Sequence, residues 1–337
     1  MQKIKDVCEK YQIRIYFFSV ILAVLVSMLA PNTISLRHSI NPVLTFMLFV
    51  TFLQVPLINL RQALLNIRFI STLIITNFVV LPILVLILMQ LSPSNSLVRL
   101  GILLVLLTPC IDYVVTFSYL GRGDAQALLA TTPLLLIIQM LLLPVYINFF
   151  LGSNIATLVQ SGPFIDAFIW LIALPLIFAG LVQYWASRHQ HGQWVLAILS
   201  HLPIPATALV LFIVITSMLP QVISIVNLVA GVIPIYIIFA ISTPMIGWGI
   251  SRLFKLDAFA GRAIAFSAGT RNSLVVLPFG LAVPEAIPIL PAVIITQTLI
   301  ELISELIYVQ LIAKLGTDSS TYDFLTASIS NRTSFAV

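Results

Sequence analysis

Charge is what this 337-residue sequence has least of: Asp, Glu, Lys and Arg make up 8% of it, against 60% hydrophobic residues. Soluble domains carry roughly a quarter charged residues, so a fold with a fully wetted surface is excluded. Cysteine is almost as scarce. Cys8 lies in a charged N-terminal leader and Cys110 deep in an apolar block, which leaves neither a disulfide framework nor a cysteine-rich metal site. Glycine-rich phosphate loops, zinc spacings and a large polar domain are also missing, so no cofactor and no nucleic-acid partner are expected. The net charge of +5 is better explained by loop orientation in a membrane. The first 14 residues mix charges ahead of a full-length span, and no cleaved signal peptide is expected.

What is present is apolar residues in blocks of roughly 18–25, the length a helix needs to cross about 30 Å of hydrocarbon. Lipid satisfies no backbone group, so such blocks form helices or a closed barrel. Barrel strands would alternate apolar and polar residues, whereas residues 69–91 read as apolar all round. The sequence therefore predicts an all-α integral membrane protein with ten transmembrane helices. They are placed near 15–30, 42–60, 69–91, 98–120, 125–150, 164–184, 202–219, 227–253, 259–283 and 286–315. Turn chemistry separates them, as at Pro31-Asn32, Ser92-Pro93-Ser94-Asn95 and Gly121-Arg122-Gly123-Asp124. With the N-terminus inside, the inner segments collect nearly all basic residues, from Lys3 and Arg14 through Arg122 and Lys255 to Lys314. The outer loops hold only Arg37 and Arg99. That bias predicts a multi-pass protein of the plasma (inner) membrane with both termini cytoplasmic.

The chain divides into a leader (1–14), a first five-span half (15–150), a second (164–315) and a Ser/Thr-rich tail (316–337) expected to be disordered. In each half a short amphipathic stretch, 58–68 and 221–228, follows the second span. The fourth span of each half is interrupted, at Thr108-Pro109-Cys110-Ile111-Asp112 and at Gly269-Thr270-Arg271-Asn272-Ser273. Five spans is an odd number, so the halves enter from opposite sides as an inverted repeat. Pro and Gly make ordinary transmembrane kinks, but two breaks at equivalent positions point to a transporter's substrate site.

Four charges fall inside the expected membrane region, each costing roughly 3 kcal/mol on insertion scales: Asp112, Arg271, Glu301 and Glu305. Where the broken spans 4 and 9 cross, Asp112 and Arg271 come together. The pair either locks the crossing or opens and re-forms as substrate or proton binds. Unwound backbone beside them frees N–H groups that favour anions. Thr108, Cys110, Asp112, Arg271, Asn272 and Ser273 are therefore the expected substrate-binding residues. Glu301 and Glu305 lie four apart on one helix face, and their repulsion is relieved when one holds a proton, as proton coupling requires. Glu305, nearer the helix end, has the plainer option of reaching headgroups or inner water. Buried cysteine ordinarily serves packing, but a thiolate at Cys110 is also a soft ligand for a metalloid in transit, with no resident metal expected. Gln139, Gln297, Asn148 and Thr131 are adequately explained as interhelical hydrogen-bonding residues. An intramembrane enzyme is not expected: His189, His191 and His201 lie in or next to a loop, away from any nucleophile–acid set.

The run Thr108-Pro109-Cys110, followed by Phe117-Ser118-Tyr119-Leu120-Gly121-Arg122-Gly123-Asp124, resembles the fourth-span signature of the arsenical-resistance-3 arsenite efflux proteins. It also resembles their relatives, the bile acid:sodium symporters of the same ten-span, inverted-repeat superfamily. The resemblance implies panel and core domains, broken helices 4 and 9 crossing in the core, a metalloid-handling cysteine at Cys110 and a last-span glutamate at Glu301. The arsenite branch has an Asn-Asn-Phe-Glu-Leu run where this chain has Arg271-Asn272-Ser273-Leu274-Val275, so its glutamate is Leu274 here. The sodium-coupled relatives' Glu-x-Gly-x-Gln-Asn run is replaced by Ser267-Ala268-Gly269-Thr270-Arg271-Asn272, which puts Ser267 and Arg271 at the sodium-ligating positions. A fixed cation repels sodium. The expected function is secondary active efflux of an arsenite-type metalloid or anion, an antiport coupled to protons and not to sodium. The alternative is an organic-anion carrier of the bile acid:sodium symporter type.

Overall fold

Polar side chains mark where several of the apolar helices begin. Asn66, Asn95, Asp124 and Asp257 each accept a backbone N–H two or three residues further on, and a helix starts after each. The computed structural model describes residues 2–30, 32–54, 66–111, 113–151, 169–223, 225–281 and 287–316. In chain order the helices are α1 (Gln2–Leu29), α2 (Ile40–Phe52), α3 (Ile67–Leu91), α4 (Ser96–Leu106), α5 (Tyr113–Leu120) and α6 (Ala125–Leu151). The second half adds α7 (Leu174–Arg188), α8 (Gln190–Leu199), α9 (Pro203–Ile223), α10 (Val226–Leu253), α11 (Ala258–Gly269), α12 (Ser273–Leu281) and α13 (Ile289–Leu311). No β-strand occurs among the described residues; their one extended pairing is an isolated bridge.

Five helices are long and apolar enough to cross a membrane by length and composition: α3, α6, α9, α10 and α13. Large apolar side chains such as Phe18, Leu29, Phe149 and Met245 are exposed. Hydrocarbon is the solvent that suits them. The protein is thus an all-α membrane protein, as its composition predicts. α1 starts inside the charged leader and runs unbroken into the first expected span. α8 occupies the connection between the sixth and seventh expected spans. The amphipathic stretch at 58–68 is described only from Asn66, and that at 221–228 apart from Ser224; the tail beyond Gly316 lies outside the described residues.

Two interruptions position the site. α4 stops at Leu106 and α5 resumes at Tyr113, while α11 stops at Gly269 and α12 resumes at Ser273. α3 has a different irregularity, a π-helical turn over Thr76–Val80 ahead of Pro82, which widens the helix where it passes the interruptions. α13 packs against α4 and α12, α10 runs along α11, and α1 and α2 pack against α9.

The α10–α11 contact is close because Gly247 lets the backbones meet. A Cβ there would lie 2.7 Å from the Ala268 Cβ and 3.0 Å from the Ile264 carbonyl oxygen. Gly247→Ala is expected to cost about 1–3 kcal/mol of stability through overpacking, read as a lower melting temperature of the purified protein.

Candidate functional site

The two interruptions lie against each other. Pro109 and Arg271 form an antiparallel bridge: the Cys110 N–H donates to the Thr270 carbonyl at 3.1 Å, and the Asn272 N–H donates to the Thr108 carbonyl at 2.9 Å. Each break thereby satisfies backbone groups that the other leaves open, which lipid would not. Thr108 turns its hydroxyl back to Leu104 and Val105, and Thr270 does the same to Phe266.

The bridge has a consequence for carbonyls. The N–H groups of Cys110, Arg271 and Asn272, which helical geometry would assign to Leu106, Ser267 and Ala268, are all used elsewhere. The Arg271 guanidinium collects those three carbonyls instead. It donates to Leu106 O at 3.3 Å, Ser267 O at 2.7 Å and Ala268 O at 2.9 Å, with Asn77 Oδ1 as a fourth acceptor at 2.8 Å. Its Cζ lies over the Phe239 ring, 5.5 Å from the ring centre. One cation thus caps the C-terminal ends of both α4 and α11, where helix dipoles concentrate negative potential. Among the described residues the acceptors of its guanidinium are all neutral. Asp112 itself lies outside the described residues. Arg271 Nε has no partner among the described residues.

Glu301 faces the other side of the crossing, where α5 and α12 begin. Its carboxylate accepts from the Tyr113 hydroxyl at 2.5 Å, the Arg271 backbone N–H at 2.7 Å and the Gln297 amide at 2.5 Å. Gln297 in turn accepts from the Ser273 hydroxyl. Glu305, one turn along α13, is fully buried. One of its oxygens accepts from Thr270 Oγ1 at 2.5 Å and the other has no partner among the described residues. Asn272 is buried with its amide nitrogen likewise unpartnered there. Cys110 is buried within the crossing.

The structure therefore gathers Thr108, Cys110, Arg271, Asn272, Ser273, Glu301 and Glu305 into one place. It adds Asn77, Tyr113 and Gln297, which sequence reasoning passes over or assigns to ordinary packing. Asn77 sits in the π turn of α3, donating to Ser267 Oγ at 3.0 Å and to Leu73 O while it accepts from Arg271. Its signal was a Thr-Asn pair in an otherwise apolar run. Beside the crossing is a cavity of about 40 Å³ bounded by α1, α2, α5 and α9, with Gln12, Tyr16, Thr51, Tyr113, Thr116 and Thr207 in its wall. Tyr113 belongs to both, linking the cavity wall to Glu301.

Apolar helices around a buried, charged pair of helix interruptions make this a multi-pass membrane transporter. The chain matches the sequence model of the Sodium Bile acid symporter family over residues 41–228, more than half its length, and belongs to that family. The matched region contains the first interruption and stops short of the second. No curated protein matches the chain.

Proposed function

We propose that this transporter is a secondary active carrier for an arsenite-type metalloid or small anion, working as an efflux antiporter that uses protons and not sodium. The observation that carries the coupling is the guanidinium of Arg271, held by four oxygen acceptors. A cage of carbonyl and amide oxygens is what a hard monovalent cation requires, and here a tethered cation fills it. Glu301 is the proton carrier of this reading. Its three donors suit a carboxylate; a proton on it would turn an acceptor into a donor and loosen the bonds to Tyr113 and to the Arg271 backbone. Glu305, with an oxygen free of partners among the described residues, would take a proton in the same cycle.

An inverted ten-helix repeat is part of the proposal. Asn95 and Asp257, both helix caps, are 162 residues apart; so are Ser96 and Ala258, which begin α4 and α11, and Thr108 and Thr270 at the bridge. The antiparallel bridge relates Thr108 to Thr270 and Cys110 to Asn272 by a local two-fold axis, which supports two halves of opposite orientation. Alternating access would then move the crossing as a unit against α1, α2 and α9. Both termini would be cytoplasmic in the plasma membrane. Cys110 would serve as a transient metalloid ligand, with Thr108, Asp112, Asn272 and Ser273 near it.

The alternative, an organic-anion carrier of the bile acid:sodium symporter type, is favoured by the family match itself. Intracellular arsenic in an arsenite-sensitive, pump-deleted bacterium separates the two. Wild type is expected to lower accumulation severalfold, Cys110→Ser to lose that effect, and replacement of sodium by choline to leave it unchanged. Equal accumulation in both strains, with membrane insertion verified, moves the assignment to an organic anion.

A further inference from the structure

We infer that Tyr146 and Tyr308 are matched positioning residues, one in each half of the chain, that set two of the side chains against which the Arg271 guanidinium rests. The inference goes beyond the carrier reading: it rests on the geometry around Arg271 and stands whatever the solute. Pro82 in α3 and Pro244 in α10 have no N–H, so the carbonyls of Phe78 and Ala240, four residues earlier, lose the donor that an α-helix would give them. Each carbonyl is met by a tyrosine from the last helix of its own half. Tyr146 of α6 donates its hydroxyl to Phe78 O at 2.6 Å, and Tyr308 of α13 donates to Ala240 O. Lipid would supply neither bond. The residue just before each carbonyl touches Arg271: Asn77 through its Oδ1 at 2.8 Å, and Phe239 through its ring, 5.5 Å from the guanidinium carbon. Asn77 and Phe239, Phe78 and Ala240, Pro82 and Pro244, and Tyr146 and Tyr308 all stand 162 residues apart, the spacing that also relates Thr108 to Thr270. Unrelated proline kinks have no reason to share one spacing with their donors and with the bridge. In the second half the packing reaches the interruption itself. A Cβ added at Gly269, the last residue of α11, would meet Tyr308 Cε2 at 2.7 Å and Pro244 Cγ at 3.2 Å. Tyrosine, proline and helix end are therefore in one packed group, beside the Ser267 and Ala268 carbonyls that the guanidinium caps.

The test is a set of double-mutant cycles, read as the melting temperature of purified full-length protein in nanodiscs. Tyr146→Phe and Tyr308→Phe each remove a hydroxyl and keep the ring, and each is expected to lower the melting temperature by about 2–4 °C. In an Arg271→Met background that drop should shrink to half or less, because the part that acts through Asn77 or Phe239 has no guanidinium left to disturb. A tyrosine with a merely structural role costs the same in both backgrounds. Tyr236→Phe is the control for this: its hydroxyl also donates to a buried carbonyl, that of Val293 at 3.2 Å, and its drop is expected to be the same with and without Arg271. If Arg271→Met does not melt cooperatively, Pro244→Ala supplies a second cycle. Alanine returns an N–H to the Ala240 carbonyl, so Tyr308→Phe is expected to lose most of its effect in that background. A drop that Arg271→Met leaves unchanged for either tyrosine overturns the inference. So does an equal shrinkage for Tyr236→Phe, or a Tyr308→Phe loss that Pro244→Ala fails to reduce.

Discussion

Arg271→Met is expected to lower stability by about 3–5 kcal/mol, because it strips one buried cation from four buried acceptors without giving them water. The methionine keeps the length of the stem and much of its packing against Phe239, so the loss isolates the guanidinium. Arg271→Gln separates charge from structure more sharply. Without its tethered cation, the cage of Leu106, Ser267 and Ala268 carbonyls and Asn77 Oδ1 becomes a set of oxygens seeking a hard cation. The glutamine variant is therefore expected to melt at lower temperature in choline chloride and to recover in sodium chloride, by about 2–4 °C per kcal/mol regained. Identical melting in the two salts would mean that the cage collapses and that Arg271 does not take a sodium ion's place.

Glu301→Gln is expected to abolish uphill solute efflux in proteoliposomes under an imposed pH gradient, while solute-for-solute exchange continues. Glutamine keeps the volume and one acceptor, so the crossing stays assembled, but it has no proton to carry. One amide N–H would face a donor among Tyr113, Gln297 and the Arg271 N–H, adding about 1–3 kcal/mol of destabilisation. Loss of exchange together with uphill flux would assign Glu301 to holding the crossing together. Uphill flux at the wild-type rate would move proton coupling off this residue.

The interruptions were legible because their cause is local. Pro109 has no N–H to donate, Gly269 and its polar neighbours weaken a helix in lipid, and the observed breaks fall within the expected segments. The placement of Glu301 and Glu305 on one face of α13 was legible for a similar reason, since helical spacing alone decides it. The backbone acceptors around Arg271 were not, because interrupting two helices releases carbonyl oxygens that do not appear in any count of charged residues. Asn77 escaped notice for a related reason. Hydropathy weighs a single amide lightly in an apolar span, and only the π turn brings it to the guanidinium. Gln297 looked like one more interhelical hydrogen bond until the structure put Ser273 at one end of it and Glu301 at the other.

The mutual capping of the two interruptions also bears on how the chain is assembled. Cys110 and Thr108 find their backbone partners 160 and 164 residues later in the chain, at Thr270 and Asn272. A first half made before α11 and α12 lacks both of these partners. Closure of such a long loop is slow and waits for synthesis of α11 and α12. The crossing can therefore close only once both halves of the chain have been made.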